Sequence, residues 1–128
     1  MSLKINQAIY SILSSSTGVT SLVNSNNMFP IAADDDVKNP FIVYERKSIN
    51  TVYTKDGVSY DDVLLEVTCV SDDYNESLNI AQAVRNALEL KSGTYGAVEI
   101  YQCRFKNAPE NYGVDNYIQI LHFEIKSK

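Results

Sequence analysis

Residues 51–70 constrain the fold more than any other part of the chain. Two runs rich in β-branched and aromatic residues, 51–54 and 58–70, flank Lys55-Asp56-Gly57. An Asp-Gly pair supplies the positive φ angles of a tight antiparallel turn, so the segment predicts a β-hairpin. Alternate residues of the second run share one face of a strand. The face expected to point into the core carries Val63, Leu65, Val67 and Cys69.

Apolar residues at helical spacing predict two main helices. The first covers residues 3–13 and is followed by a short helical turn within 17–23. The second begins at Asp73, because Glu76 follows at the spacing of a capping box, and it ends before Ser92-Gly93. The stripe of this helix that we expect to pack against a sheet consists of Leu78, Ala81, Val84 and Leu88.

Further strands are predicted on both sides of these elements. Met28-Phe29-Pro30 is a short extended segment, and 41–47 is rich in β-branched and aromatic residues. Two final strands, 97–106 and 114–126, are separated by residues 107–113, which read as a loop of turn formers. The inward face of the last strand is expected to carry Leu121, Phe123 and Ile125.

The order of these elements predicts an α+β fold. We expect a two-layer sandwich, with a mainly antiparallel β-sheet and two helices packed on one face, because each helix offers one apolar stripe. A length of 128 residues suits one compact domain, so residues 1–128 are expected to form a single domain.

The composition excludes several classes of function. Apolar residues make up 45% of the chain and charged residues 21%, which is typical of a folded globular protein. The formal net charge of −5 has the wrong sign for stable binding of nucleic acid. No apolar run approaches the length of a membrane span, and no nucleotide-binding or hydrolase motif is present, so no membrane contact and no cofactor is expected.

Few residues could perform catalysis or bind a metal. His122 is the only histidine, and pairing it with Cys69 or Cys103 would need a third, orienting group. Both cysteines are more simply interpreted as reduced residues of the core. The aspartates at 34–36, 61–62 and 72–73 lack the alternating spacing and glycine of a calcium loop. We therefore expect that the protein has no metal site and is not an enzyme.

The succession of local patterns resembles a known protein family. It runs from the helix at 8–13 through 19–23 and 28–30 to Asn39-Pro40-Phe41, followed by the hairpin, 65–69 and the Asp73 helix. The chain is similar in this order, over roughly residues 3–88, to the tail-completion proteins of long-tailed bacteriophages and prophages, also described as tail terminators or head-tail joining proteins. The C-terminal strands agree only in type and position.

The resemblance implies a non-enzymatic structural protein. It implies a ring, a hexamer, that forms in the bacterial cytoplasm on the end of the tail tube and stays at the neck or tail end of the virion. Its expected partners are further copies of itself, the tail tube protein and the head connector or stopper protein. An acidic ring would also suit the passage of DNA, because it repels phosphate.

Two exposed segments are expected to mediate assembly and to be mobile in the free protein. They are the acidic loop at 31–38 and the hairpin at 49–62. Within and beside them we single out as assembly contacts Asp34, Asp35, Asp36, Arg46, Lys47, Lys55, Asp56, Asp61 and Asp62. In this hypothesis Arg46 and Lys47 meet the three consecutive aspartates of a neighbouring subunit.

Two other classes of function stay open at this point. One is a small ligand- or metal-binding α+β domain with its site between the sheet and the acidic loops. The other is an enzyme that uses His122.

Overall fold

The computed structural model of the chain describes residues 1–128, which form three α-helices and seven strands. The helices are α1 (Ile5–Ser15), α2 (Thr17–Thr20) and α3 (Tyr74–Leu88). The strands are β1 (Met28–Pro30), β2 (Phe41–Thr54), β3 (Gly57–Ser71), β4 (Gly93–Tyr95), β5 (Val98–Asn107), β6 (Glu110–Gly113) and β7 (Asn116–Ser127). Short 3-10 turns precede α1, at Ser2–Lys4, and β1, at Ser25–Asn27.

All seven strands belong to one sheet with the order β1-β2-β3-β7-β5-β4, and β6 also pairs with β7. Strand β1 is parallel to β2, whereas the other pairings are antiparallel. Strands hold 48% of the residues and helices 28%, so the sheet dominates the structure. The chain contains both helices and strands, as predicted, but the prediction of a two-layer sandwich with two helices on one face is wrong. The sheet is mixed and curled, since long strands twist and two bulges in the β2–β3 pair bend it further.

The predicted hairpin is confirmed. Strands β2 and β3 pair as far as Thr54 and Gly57, and Gly57 alone within the turn has a positive φ, of 118°. The strand before the turn is longer than predicted, because β2 runs without a break from Phe41 to Thr54. A bulge between Arg46 and Ser48 keeps its two halves in register with β3.

The inward face of the sheet and the helices share one core. The predicted inward residues of β3 and β7 are all buried, as are those of α1 from Ile5 onward. This core also includes Val19, Met28, Ile42, Tyr44, Val98, Ile100 and Cys103. Alternation along the two central strands therefore identified the core face correctly.

The buried stripe of α3 agrees with the prediction at Val84 and Leu88 and differs from it elsewhere. Its buried residues are Ser77, Ile80, Val84 and Leu88, whereas Ala81 is half-buried and Leu78 is 38% exposed. Successive residues of a helix are rotated by about 100°, so Leu78 lies about 160° around the axis from Ile80. The buried Ser77 hydroxyl donates to Tyr74 O at 2.6 Å and accepts from Gln119 Nε2 at 3.3 Å, so its polar atom is paired.

Two short strands were not predicted. The segment expected to be a loop, 107–113, contains β6, and the turn follows it at Val114 and Asp115, with φ angles of 52° and 62°. Strand β4 starts at Gly93, where a helix stop was expected. The chain leaves α3 earlier, through Leu90 in the left-handed region at a φ of 63°.

Candidate assembly surfaces

The β2–β3 hairpin projects beyond the rest of the sheet. Strand β7, which covers the other side of β3, ends at the pair Asp61–Ser127, so residues 52–60 form a two-stranded ribbon that we call the arm. At its base Thr51 Oγ1 donates to Asp61 Oδ1 at 2.7 Å. Lys55 and Asp56 are exposed at the tip, beside Tyr53, whose residue surface is 72% exposed. The arm therefore combines a firm base with an accessible, partly aromatic tip.

The acidic loop lies at the opposite end of the sheet from the arm. It leads into the first residue of β2, and Asn27 Nδ2 donates to Pro40 O at 3.2 Å. Asn39 Nδ2 donates to Asn116 Oδ1 at 2.6 Å, at the start of β7. Exposed side chains in this loop include Asp34, Asp35 and Asp36.

The other predicted contact residues lie along β2 and β3. Arg46 Nη1 donates to Leu3 O at 3.1 Å, and Lys47 Nζ lies 3.5 Å from Glu45 Oε2. Asp62 Oδ1 is buried without a hydrogen-bond partner. Within one subunit, the structure does not bring the nine predicted residues together, so any contact between the acidic loop and Arg46 or Lys47 must join two subunits.

A third surface was missed by sequence reasoning and lies beside the start of α3. The rings of Tyr74 and Tyr117 are 5.4 Å apart between centroids, and those of Tyr112 and Tyr117 are 4.9 Å apart. We call these three side chains, with the exposed Leu78 and Val114, the tyrosine patch. The high tyrosine content was its only sequence signal, because the patch needs β6 paired with β7 and both placed against α3.

A carboxylate holds part of this patch in place. Tyr74 donates its hydroxyl hydrogen to Glu110 Oε2 at 3.1 Å, and the buried Gln119 donates to the same oxygen at 3.0 Å. The hydrogen bond to Glu110 raises the pKa of Tyr74 above its ordinary value, and the negative charge of Glu110 adds to this effect. Tyr74 is therefore a neutral hydrogen-bond donor at physiological pH.

The histidine and the two cysteines lie on opposite faces of the sheet. His122 alternates with the buried Leu121 and Phe123, and its Nε2 lies 3.0 Å from Glu66 Oε2 on the outer face. Cys69 and Cys103 are both buried in the core. Desolvation by burial raises the pKa of each thiol to about 12, with a smaller contribution from Glu89 for Cys103. This geometry does not assemble the cysteine–histidine pair that the enzyme hypothesis required.

We expect both cysteines to resist alkylation in the folded protein. A thiol with a pKa of about 12 is almost entirely protonated at mildly alkaline pH, and the thiolate is the reactive form. Mass spectrometry after iodoacetamide treatment should find no adduct in the native protein and two adducts after unfolding. Rapid modification of the native protein would contradict the core position of the cysteines.

The remaining candidates for chemistry are scattered. No three His, Cys, Asp or Glu side chains come close enough to hold a metal ion. A groove of about 560 Å³ lies between the C-terminal ends of α1 and α3 and is lined by hydroxyl groups, among others those of Ser11, Ser15 and Thr17. Its one carboxylate, Glu89, is paired with Arg85 at 2.8 Å. None of the helices is long and apolar enough to cross a membrane.

The fold and these surfaces define a small α+β protein with several exposed surfaces suited to contacts with other proteins. Residues 7–125 match the family model of tail completion protein gp17. The chain therefore belongs to this family of bacteriophage structural tail proteins, as the succession of sequence patterns predicted.

Solved structures share the fold at low sequence identity. A chain described as belonging to the virion of a native gene transfer agent particle superposes with a TM-score of 0.82 at 15% identity, over 94% of this chain and 92% of that chain. A second solved structure gives a TM-score of 0.66 at 9% identity, over 100% of this chain and 96% of the other. No curated protein sequence matches the chain significantly.

Proposed function

We propose that this chain, acting as one domain over residues 1–128, assembles as a hexameric ring on the end of the completed tail tube. The ring stops polymerisation of the tube and joins the tail to the head connector. Assembly takes place in the bacterial cytoplasm, and the ring remains at the neck of the virion. The family match over residues 7–125 is the observation that carries this proposal.

The arm is a structural feature that favours assembly of a ring. Each subunit of a ring contacts its neighbours through two different patches, so a projection on one side and a recess on the other are needed. An isolated two-stranded ribbon is marginally stable in water. The arm gains stability when it packs against a neighbour, so we expect it to be more mobile in the free subunit than in the ring.

Charged residues extend this contact. Lys47 and Glu45 form an exposed pair, which contributes little stability and exchanges readily for another partner. In the ring, Lys47 and Arg46 meet Asp34, Asp35 and Asp36 of the adjacent subunit. Lys55 and Asp56 at the tip, with Asp61 and Asp62 at the base, complete the proposed assembly contacts.

The proposed role is structural and needs no catalysis or cofactor. DNA must slide through the ring without being held, and the net charge of −5 per subunit disfavours stable contacts with phosphate. Transient passage of DNA is compatible with this charge.

Tube growth in vitro tests the proposal. We expect purified chain, added to polymerising tail tube protein, to shorten the tubes in a dose-dependent way. Once a tube is capped, its length should no longer increase. Electron microscopy measures the length distribution, and heat-denatured chain is the control. Tubes of unchanged length at saturating chain would contradict capping.

A further inference from the structure

The tyrosine patch is exposed, yet its three rings already pack together in the single subunit. Glu110 accepts hydrogen bonds from both Tyr74 and Gln119, and the ring of Tyr117 contacts the rings on either side of it. Tyr112 is 57% exposed. A fixed aromatic side chain loses little conformational freedom on binding, and tyrosine is enriched at the centres of interfaces. An exposed patch of this kind is typical of a protein-binding surface.

Four exposed carboxylates lie close to residues of the tyrosine patch along the chain. Asp72 and Asp73 precede α3, Glu110 lies on β6, and Asp115 lies in the turn before β7; all four are exposed. We call these four residues the acidic rim. The hydrogen bond between Asn39 and Asn116 brings the acidic loop to the same end of the sheet. A partner that matches this surface must present Lys or Arg around an apolar centre.

A second copy of the chain is a poor match for this surface. Each copy carries a net charge of −5, so the acidic rim repels it at long range. Three of its basic side chains are also engaged within the subunit, two by carboxylates and one by a ring. These are Arg85 with Glu89, Lys106 with Glu124, and Lys126 over Tyr60. The charge of the chain therefore favours a different protein as the carrier of the complementary surface.

We propose that the tyrosine patch and the acidic rim bind the end of the tail tube, at a tube surface with an apolar centre ringed by Lys and Arg. The inference rests on the proposed function, in which the tube is the first partner that the protein meets. A surface that is already formed in the free subunit suits this first step. The arm, which gains its support from a neighbour, suits the later closure of the ring.

Binding to preassembled tubes of the purified tail tube protein tests the patch. We expect Tyr112→Ser to weaken binding of the full chain by about tenfold or more, because central aromatic residues dominate interface energetics. Tyr101→Ser is the matched control, since Tyr101 is 45% exposed on β5 beside the other end of β7. Cosedimentation measures the affinity, and circular dichroism shows that both variants are folded.

A second pair of variants tests the acidic rim. We expect the affinity of the unmodified chain for tubes to fall as salt is raised, and Asp115→Asn to bind more weakly with a shallower dependence on salt. Asparagine tolerates the positive φ of 62° at this position. Glu99→Gln, an exposed acid on β5, is the matched control and should bind as the unmodified chain does.

The outcomes separate this inference from the proposed function. If the unmodified chain caps tubes and Tyr112→Ser binds them equally well, the tyrosine patch is not the tube-binding surface. If Tyr112→Ser binds tubes normally but loses self-association, the patch joins two copies of the chain and the inference is wrong. If the unmodified chain does not bind tubes at all, the proposed function itself fails.

Discussion

Replacing Leu88 with alanine is expected to lower the free energy of unfolding by about 2 to 5 kcal/mol. Leu88 is the last residue of α3, is fully buried and belongs to the same core as the inward residues of β3 and β7. Truncation removes apolar contacts and leaves a cavity that packed neighbours fill only in part. Urea denaturation followed by circular dichroism measures the change.

Leu90 provides a matched control for this prediction. It lies two residues further along the chain but is 79% exposed, so Leu90→Ala should change stability by less than about 0.5 kcal/mol. Equal stability losses in the two variants, or an unchanged midpoint for Leu88→Ala, would show that α3 packs through a different face.

Removing residues 54–59 is expected to abolish the joining of tails to heads while the subunit still folds. The deletion leaves Val52, Tyr53 and Tyr60 as a three-residue loop above the pair Thr51–Asp61. Loops of this length close hairpins readily, and the hydrogen bond between Thr51 and Asp61 holds the base. A complementation assay that counts infectious particles measures the effect, which should be a fall to the level without the protein.

A second variant tests whether assembly needs the apolar side chains of the arm or only its length. Tyr53→Ser combined with Val58→Ser keeps the arm but removes its exposed apolar side chains, and we expect a partial loss of infectious particles. Tyr101→Ser, which removes an exposed tyrosine elsewhere, should complement fully. Normal particle yields from the deletion variant would rule out the arm as an assembly contact.

Sequence patterns predicted the central strands because two independent signals agree there. The Asp-Gly pair determines where the chain reverses, and apolar residues at alternate positions from Val63 to Cys69 indicate which side chains point inward. The prediction for α3 was right at Val84 and Leu88, which are buried, and wrong at Leu78, which is 38% exposed. The buried Ile80 was left out, because helical spacing alone placed Leu78 on the core face.

The C-terminal hairpin and the tyrosine patch needed tertiary information. Strand β6 is built from residues that favour turns, and its turn uses Val114 and Asp115 at positive φ, which neither residue type signals strongly. The patch then joins residues more than thirty positions apart, such as Tyr74 and Tyr117. By contrast, the arm could be predicted, because its polar tip and long flanking strands are local features.

Electron microscopy of finished tail tubes mixed with the purified chain tests whether a ring forms at the tube end. We expect a ring of six subunits at one end of each tube, with the tyrosine patch facing the tube and each arm on the adjacent subunit. Tubes without a ring, or with the chain bound along their sides, would contradict this expectation.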